Sequence, residues 1–261
     1  MSLPPNENPP AIRTERRPGV VRIVPDRSGG GNALTERMAV EVLQALREAE
    51  ADPTVHVLTL TGSGRFFCGG GDVADMASCP QDRRPAFIAS LANAAHELAW
   101  ALVTSRLLVI AGVNGSAAGA GLGLILNADW VLVAEEASLL AAYSNLGLSP
   151  DTGVSYLLPR LVGHQRAVDL TLGRRRLSGN EAVEWGLANA SAPAQVFAAE
   201  LAVAEDGFLQ GAVQALAPTK QLLRAGTLEG YREHLRAEAE SISMLSGHPD
   251  SVRRVDRFAG R

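Results

Sequence analysis

The chain has 261 residues, 46% of them hydrophobic, and its 24 Lys+Arg against 28 Asp+Glu give a formal net charge of -4. That length and apolar content suffice for a full core, arguing for one α/β unit with at most a small appendage. The scattered, slightly acidic charge offers no basic face to a nucleic-acid backbone. Cys68 and Cys79 are too few for a disulfide scaffold and lack the spacing of a zinc site, which fits a reducing cytoplasm.

Residues 1–15 are rich in proline and charge, have no apolar stretch able to serve as a signal-peptide core, and read as a frayed N-terminal arm. A strand is expected over 20–24. An amphipathic helix is expected over 32–51, where Leu34, Met38, Val42, Leu43 and Leu46 recur at helical spacing. The β-branched run 55–60 ends at the turn Thr61-Gly62-Ser63-Gly64, and a second strand over 107–113 stops at Asn114-Gly115. Residues 107–128 carry no charge and could span a bilayer by length, but Asn114-Gly115-Ser116 and five glycines divide them into strand, turn and buried helix. No membrane partner is therefore expected. Another strand over 130–133 continues the strand–helix alternation of an α/β core, assigned to 16–192. From Pro193 onward only helical patterns follow, including 228–245 with Leu235 and Ile242 at apolar positions, so 193–261 is expected to be a helical subdomain. Repeats and low-complexity tracts are absent outside the arm.

Two glycine loops carry the chemistry. FFCGGGDV (66–73) follows a strand and sets three glycines before Asp72, so the main chain there can approach a ligand and its N–H groups can converge on an anion. VNGSAAGAGLGLILNAD (113–129) packs small residues at the start of an apolar helix, where Ala120 would present an unpaired N–H. A dinucleotide fingerprint over Gly119, Gly121 and Gly123 fails: the third glycine falls one residue early and no acid ends a following strand at the usual distance.

The order and separation of these loops resemble the enoyl-CoA hydratase/isomerase (crotonase) superfamily, whose members carry an FCAGAD-type and an AVNGxAxGGG-type loop where this chain has FCGGGD and GVNGSAAGAG. The resemblance extends through NLGLSPDTGVSYLLPRLVG and RRLSGNEAVEWGLANA and covers nearly the whole chain. It implies a spiral of ββα turns, a helical C-terminal region used in assembly and pocket closure, and a homotrimer or dimer of trimers. It also implies an acyl-CoA thioester as partner, with coenzyme A as part of the substrate and no separate cofactor or metal. By match, the backbone N–H groups of Gly71 and Ala120 form the oxyanion hole, and Ala33, Gly69, Gly70, Asp72, Val73, Gly119 and Gly121 contact the substrate. Ser28-Gly29-Gly30-Gly31-Asn32 departs from the family's proline-rich approach to this region and is expected to be loose.

The hydratases of the family use two glutamates, and the matching positions here are Gly123 and Tyr143, neither of which can replace a carboxylate in proton transfer. Asp151, in LSPDTG, matches an acid used by epoxide-ring and double-bond isomerases, so a single-carboxylate isomerase is the leading expectation. The same position is the nucleophile of 4-chlorobenzoyl-CoA dehalogenases, with His96 near their catalytic histidine, which keeps a dehalogenase or hydrolase open. A non-catalytic binding homologue is the third reading. Asp151 also suits a helix N-cap, His96 suits packing, and Tyr143 either orients Asp151 or fills space.

Overall fold

The computed structural model describes residues 10–260. Two sheets share the strands alternately. The larger has the order β1 (Ile12–Arg17), β2 (Val20–Pro25), β3 (Val57–Thr61), β5 (Leu108–Val113), β7 (Trp130–Ala134) and β10 (Ala190–Ala192). The smaller runs β4 (Phe66–Cys68), β6 (Ser116–Ala118), β8 (Ser138–Leu140) and β9 (Leu177–Ser178). Each of β3, β5 and β7 hands the chain directly to β4, β6 or β8, and a helix follows, which is the ββα spiral the resemblance implies. Pairing is parallel except for β1 with β2 and β8 with β9.

The strands of the large sheet are Val/Leu/Ile-rich because helices cover them: Val57, Leu58, Val109, Ile110 and Val133 are all fully buried. α1 (Glu36–Ala51), α2 (Val73–Ser78) and α3 (Arg84–Thr104) follow the first strands. α3 is long and apolar enough by composition to cross a bilayer, but it turns Ile88, Leu91, Leu98 and Leu102 into the core against α1 and α10 (Tyr231–Ser246). The uncharged run 107–128 becomes β5, β6 and α4 (Ala120–Leu126), every residue of which is buried. α5 (Val154–Val162), α6 (His164–Thr171) and α7 (Gly179–Glu184) complete the spiral. The strands then stop, and α8 (Phe197–Leu209), α9 (Leu216–Arg224), α10 and α11 (Pro249–Phe258) form the helical C-terminal region.

Two local expectations need correction. Residues 1–9 of the expected arm lie outside the described residues, but Ile12–Arg17 is a strand. Gly19, at φ +78°, closes a tight hairpin that pairs it with β2. Its interior side chains are exposed, so no apolar alternation marked it; the turn does. The segment expected to be loose is instead pinned. The Asn32 amide donates to Ser63 O at 2.9 Å and Phe66 O at 2.7 Å, and its Oδ1 accepts from Arg27 N–H at 3.0 Å and the Ser63 hydroxyl at 3.2 Å. One fully buried asparagine thus replaces the rigidity that prolines would supply.

Candidate active site

The glycine loops meet face to face. Gly70 has φ +94°, and a Cβ there would stand 2.9 Å from Ala118 O; one on Gly121 would stand 2.2 Å from Cys68 O. These contacts are with backbone, so neither position admits a side chain. The first loop is held by Leu34 N–H to Gly70 O (2.7 Å) and Asp72 N–H to Leu34 O (3.2 Å), which bypass Gly71. The Ala120 N–H opens α4, before any intrahelical acceptor is available. Among the described residues neither the Gly71 nor the Ala120 N–H has a protein acceptor, and both residues line a cavity of about 360 Å³.

Asp151 lines the same cavity and is 8% exposed. Its Oδ1 accepts from the Tyr143 hydroxyl at 2.7 Å and the Thr152 hydroxyl at 3.0 Å, leaving Oδ2 without a protein partner among the described residues. Burial, and then the neighbouring Asp151 charge, pushes the Tyr143 phenol well above its ordinary value, so it stays a donor. Among the described residues no other acid lines the cavity; the remaining walls are largely apolar, with Met76, Ile88, Leu91, Leu146 and Ile242 among them.

The turn that presents Asp151 is strained and braced from behind. Thr152 has φ +55°, costly for a β-branched residue, and Gly153 has φ +80°. Thr152 N–H donates to His96 Nε2 at 3.0 Å, and the Asn127 amide donates to Thr152 O at 3.0 Å. Glu238, on α10, accepts from Gly153 N–H (2.8 Å), Ser155 N–H (3.0 Å) and the Ser155 hydroxyl (2.5 Å). It thereby caps α5, the task that Asp151 suited by sequence; the Asp151 side chain instead turns to Tyr143 and Thr152, and the α5 N-cap is Gly153. Burial, reinforced by the Asp151 charge, raises the Glu238 carboxyl to about 7 against its own hydrogen bonds. Burial lowers His96, opposed by Asp151, which suits a neutral ring accepting at Nε2.

The cavity therefore gathers Gly69, Gly70, Gly71, Val73, Gly119, Ala120, Tyr143 and Asp151. Four expected residues lie outside its lining. Ala33 gives its carbonyl to Arg27 at 2.9 Å. Asp72 caps α2 and pairs with Arg27 at 3.0 Å. Gly121 serves the loop crossing, and His96 lines a separate small pocket on the other side of the Asp151 turn. Sequence reasoning missed Glu238, which no local motif marks, whereas α3, α10 and α11 supply cavity wall through Ile88, Ile242 and Phe258, where the helical region was expected to close the pocket. The two family glutamate positions are closed here: a Cβ on Gly123 would stand 2.6 Å from Thr152 Cβ, and Tyr143 is committed to Asp151.

The family model for enoyl-CoA hydratase/isomerase matches residues 15–259. A 4-chlorobenzoyl coenzyme A dehalogenase of Arthrobacter sp is 31% identical over 96% of this chain and 91% of its own length. The 1,2-epoxyphenylacetyl-CoA isomerase of Escherichia coli K12 is 38% identical over 65% of this chain and 64% of its own length. The crystal structure of an enoyl-CoA hydratase from Mycobacterium avium subsp. paratuberculosis superposes with a TM-score of 0.86 at 31% identity, covering 97% of this chain and 99% of that one. The chain belongs to the enoyl-CoA hydratase/isomerase family and has its crotonase fold.

Proposed function

We propose that this protein is an acyl-CoA isomerase in which Asp151 carries a single proton between two carbons of an apolar acyl group. The Gly71 and Ala120 N–H groups hold the thioester oxygen as an enolate. The observation that carries this reading is that, among the described residues, Asp151 is the one carboxylate lining the cavity that also holds the two acceptor-free N–H groups. Asp151 Oδ2 takes a proton from a carbon made acidic by the thioester, and the electron pair moves onto the carbonyl oxygen. Return of the proton to a different carbon restores the thioester with no net gain or loss of water. Oxyanion donors of this kind contribute about 3 kcal/mol each to the transition state. Closure of Gly123 by Thr152 weighs against the two-glutamate hydration route.

A dehalogenase or hydrolase, with Asp151 Oδ2 attacking an activated acyl ring, is the second reading, favoured by the near full-length match to the dehalogenase. Its difficulty is His96, whose Nε2 lone pair is taken by Thr152 N–H. A binding protein without turnover is the third. Incubation with 3-enoyl, 2-enoyl, epoxyphenylacetyl and 4-chlorobenzoyl thioesters, read by mass spectrometry and NMR, separates them. Double-bond or ring isomerisation without added water is expected. Chloride release would install the dehalogenase, efficient hydration would refute the isomerase, and thermal stabilisation without products would leave only binding. We also infer a cytoplasmic homotrimer or dimer of trimers, in keeping with the exposed Leu222 and Leu223 on α9; sedimentation of a monomer would refute the assembly.

A further inference from the structure

The main cavity has an enclosed part and an open rim. Met76, Ile88, Leu91, Ala95 and Ile242 wall the enclosed part and are each at most 6% exposed. Asn145, Arg176 and Phe258 line the cavity from exposed positions; Arg176, the lining's one cation among the described residues, reaches Ser138 Oγ at 3.4 Å. Met76 touches the oxyanion hole itself: a Cβ on Gly71 would stand 2.6 Å from Met76 Cε and 3.5 Å from Leu91 Cδ2. The backbone behind Met76 is fixed by its own helix. Asp72 Oδ1 accepts from the Ala74 and Asp75 N–H groups at 3.1 and 3.2 Å, and its Oδ2 pairs with Arg27 at 3.0 Å, so α2 starts at one place relative to the Gly71 N–H.

We infer that Met76 sets the size of the acyl group, and that the site takes an uncharged chain or ring of at most about nine non-hydrogen atoms beyond the thioester. With the thioester oxygen on the Gly71 and Ala120 N–H groups, a premise this size limit takes from the proposed function, the hydrophilic coenzyme A arm leaves by the open rim. The acyl group is then directed into the enclosed part, where the Met76 methyl is the first side chain beside Gly71. The cavity holds about 360 Å³, room for about 12 non-hydrogen atoms at the roughly 30 Å³ that a water takes in the liquid; the thioester carbon, oxygen and sulfur use about three of them. An acid at the tail of the acyl group would lie among apolar side chains without a donor, near the like charge of Asp151. An unbranched thioether suits this place, because it adapts its rotamers to a chain or a ring.

Calorimetric titration of the full chain with saturated acyl-CoA thioesters tests the limit. These have no double bond to move, so a failed isomerase reading would leave their binding order standing, and a failed order would leave isomerisation standing. From butyryl to octanoyl the affinity should rise about fourfold per methylene, and dodecanoyl should bind no tighter than octanoyl. Glutaryl should bind about tenfold more weakly than hexanoyl. Met76→Ala removes Cγ, Sδ and Cε from the wall; dodecanoyl should then bind about tenfold tighter than to the wild type, while butyryl, left with less to touch, binds more weakly. If that variant does not fold, Met76→Val, shorter at the same end, decides by the same shift. A gain that continues through dodecanoyl in the wild type, glutaryl binding equal to hexanoyl, or an unchanged order in the Met76 variants would overturn the assignment.

Discussion

The turn at 151–153 has two unlike faces. Toward the cavity stand one carboxylate, one phenol and a largely apolar wall; behind it, His96, Glu238, Ser155 and Asn127 form a buried polar bracket. Both faces bury charge, but only the front leaves an acid oxygen unclaimed. The rear spends its hydrogen-bonding capacity on backbone N–H and C=O groups, holding Thr152 in a conformation it would not adopt alone. A carboxylate available for chemistry and one committed to structure are thus told apart by what remains unbonded.

Asp151→Asn is the largest expected break in this asymmetry. The amide keeps the shape and the bonds from Tyr143 and Thr152 but cannot take a proton, so kcat should fall by about 10²–10⁴ while acyl-CoA binding persists. Single-turnover product analysis checks it. Retained turnover would show that the front-face carboxylate is not the base.

Gly121→Ala tests the platform on which that face rests. Its Cβ would meet the Cys68 carbonyl at 2.2 Å, so β4 and α4 must separate, costing at least about 3 kcal/mol and roughly 6 °C in Tm. Ala120 already carries a Cβ in the same loop, so Ala120→Gly should change Tm far less. Equal losses in a thermal melt would remove the distinction between crossing glycines and the donor position.

The front face was largely legible in the sequence, because backbone donors and glycine crossings demand a local pattern such as FCGGGD. The rear was not: Glu238 reaches Gly153 across 85 positions, and a solitary glutamate on an amphipathic helix looks like any solvated one. Ala33, Asp72 and Gly121 belong to the motifs but lie outside the cavity lining, since motif membership marks residues that build a loop as readily as those that line it. The helices α1 and α10 were found by their apolar spacing, while β1 was missed because its interior side chains face solvent and only the Pro18-Gly19 turn betrayed it.

The rear bracket gives a pH signature. Glu238 holds its proton to about 7 when folded, above its ordinary 4.5, so the folded state binds more protons between those values. Stability should be full below about pH 4.5 and decline as pH rises through 7, by on the order of 3 kcal/mol from this group alone. Glu238→Gln should flatten that segment of a urea-denaturation series between pH 5 and 8. An unchanged slope would show that the charge is not strained by burial.

Tyr143→Phe sharpens the front face without dismantling it. The phenol donates to Asp151 Oδ1 at 2.7 Å and fixes the orientation of the carboxylate. Its loss should lower kcat about tenfold with little change in KM, with a stability change of about 1 kcal/mol. An unchanged kcat would make the tyrosine a space-filling residue.

His96→Gln is the smallest expected effect and the sharpest discriminator between the leading reading and its rival. A glutamine oxygen can accept the Thr152 N–H that Nε2 now accepts, so the bracket should survive with a loss of about 1 kcal/mol. If Asp151 only shuttles a proton, turnover should fall no more than a few-fold, because the ring is absent from the cavity lining. If Asp151 is instead a nucleophile whose covalent ester intermediate needs a base to activate the hydrolysing water, the variant should accumulate a covalent adduct at Asp151. Peptide mass spectrometry after quenching would detect it. Trapped adduct would mean that the ring leaves Thr152 during the reaction, and that the rear face, too, does chemistry.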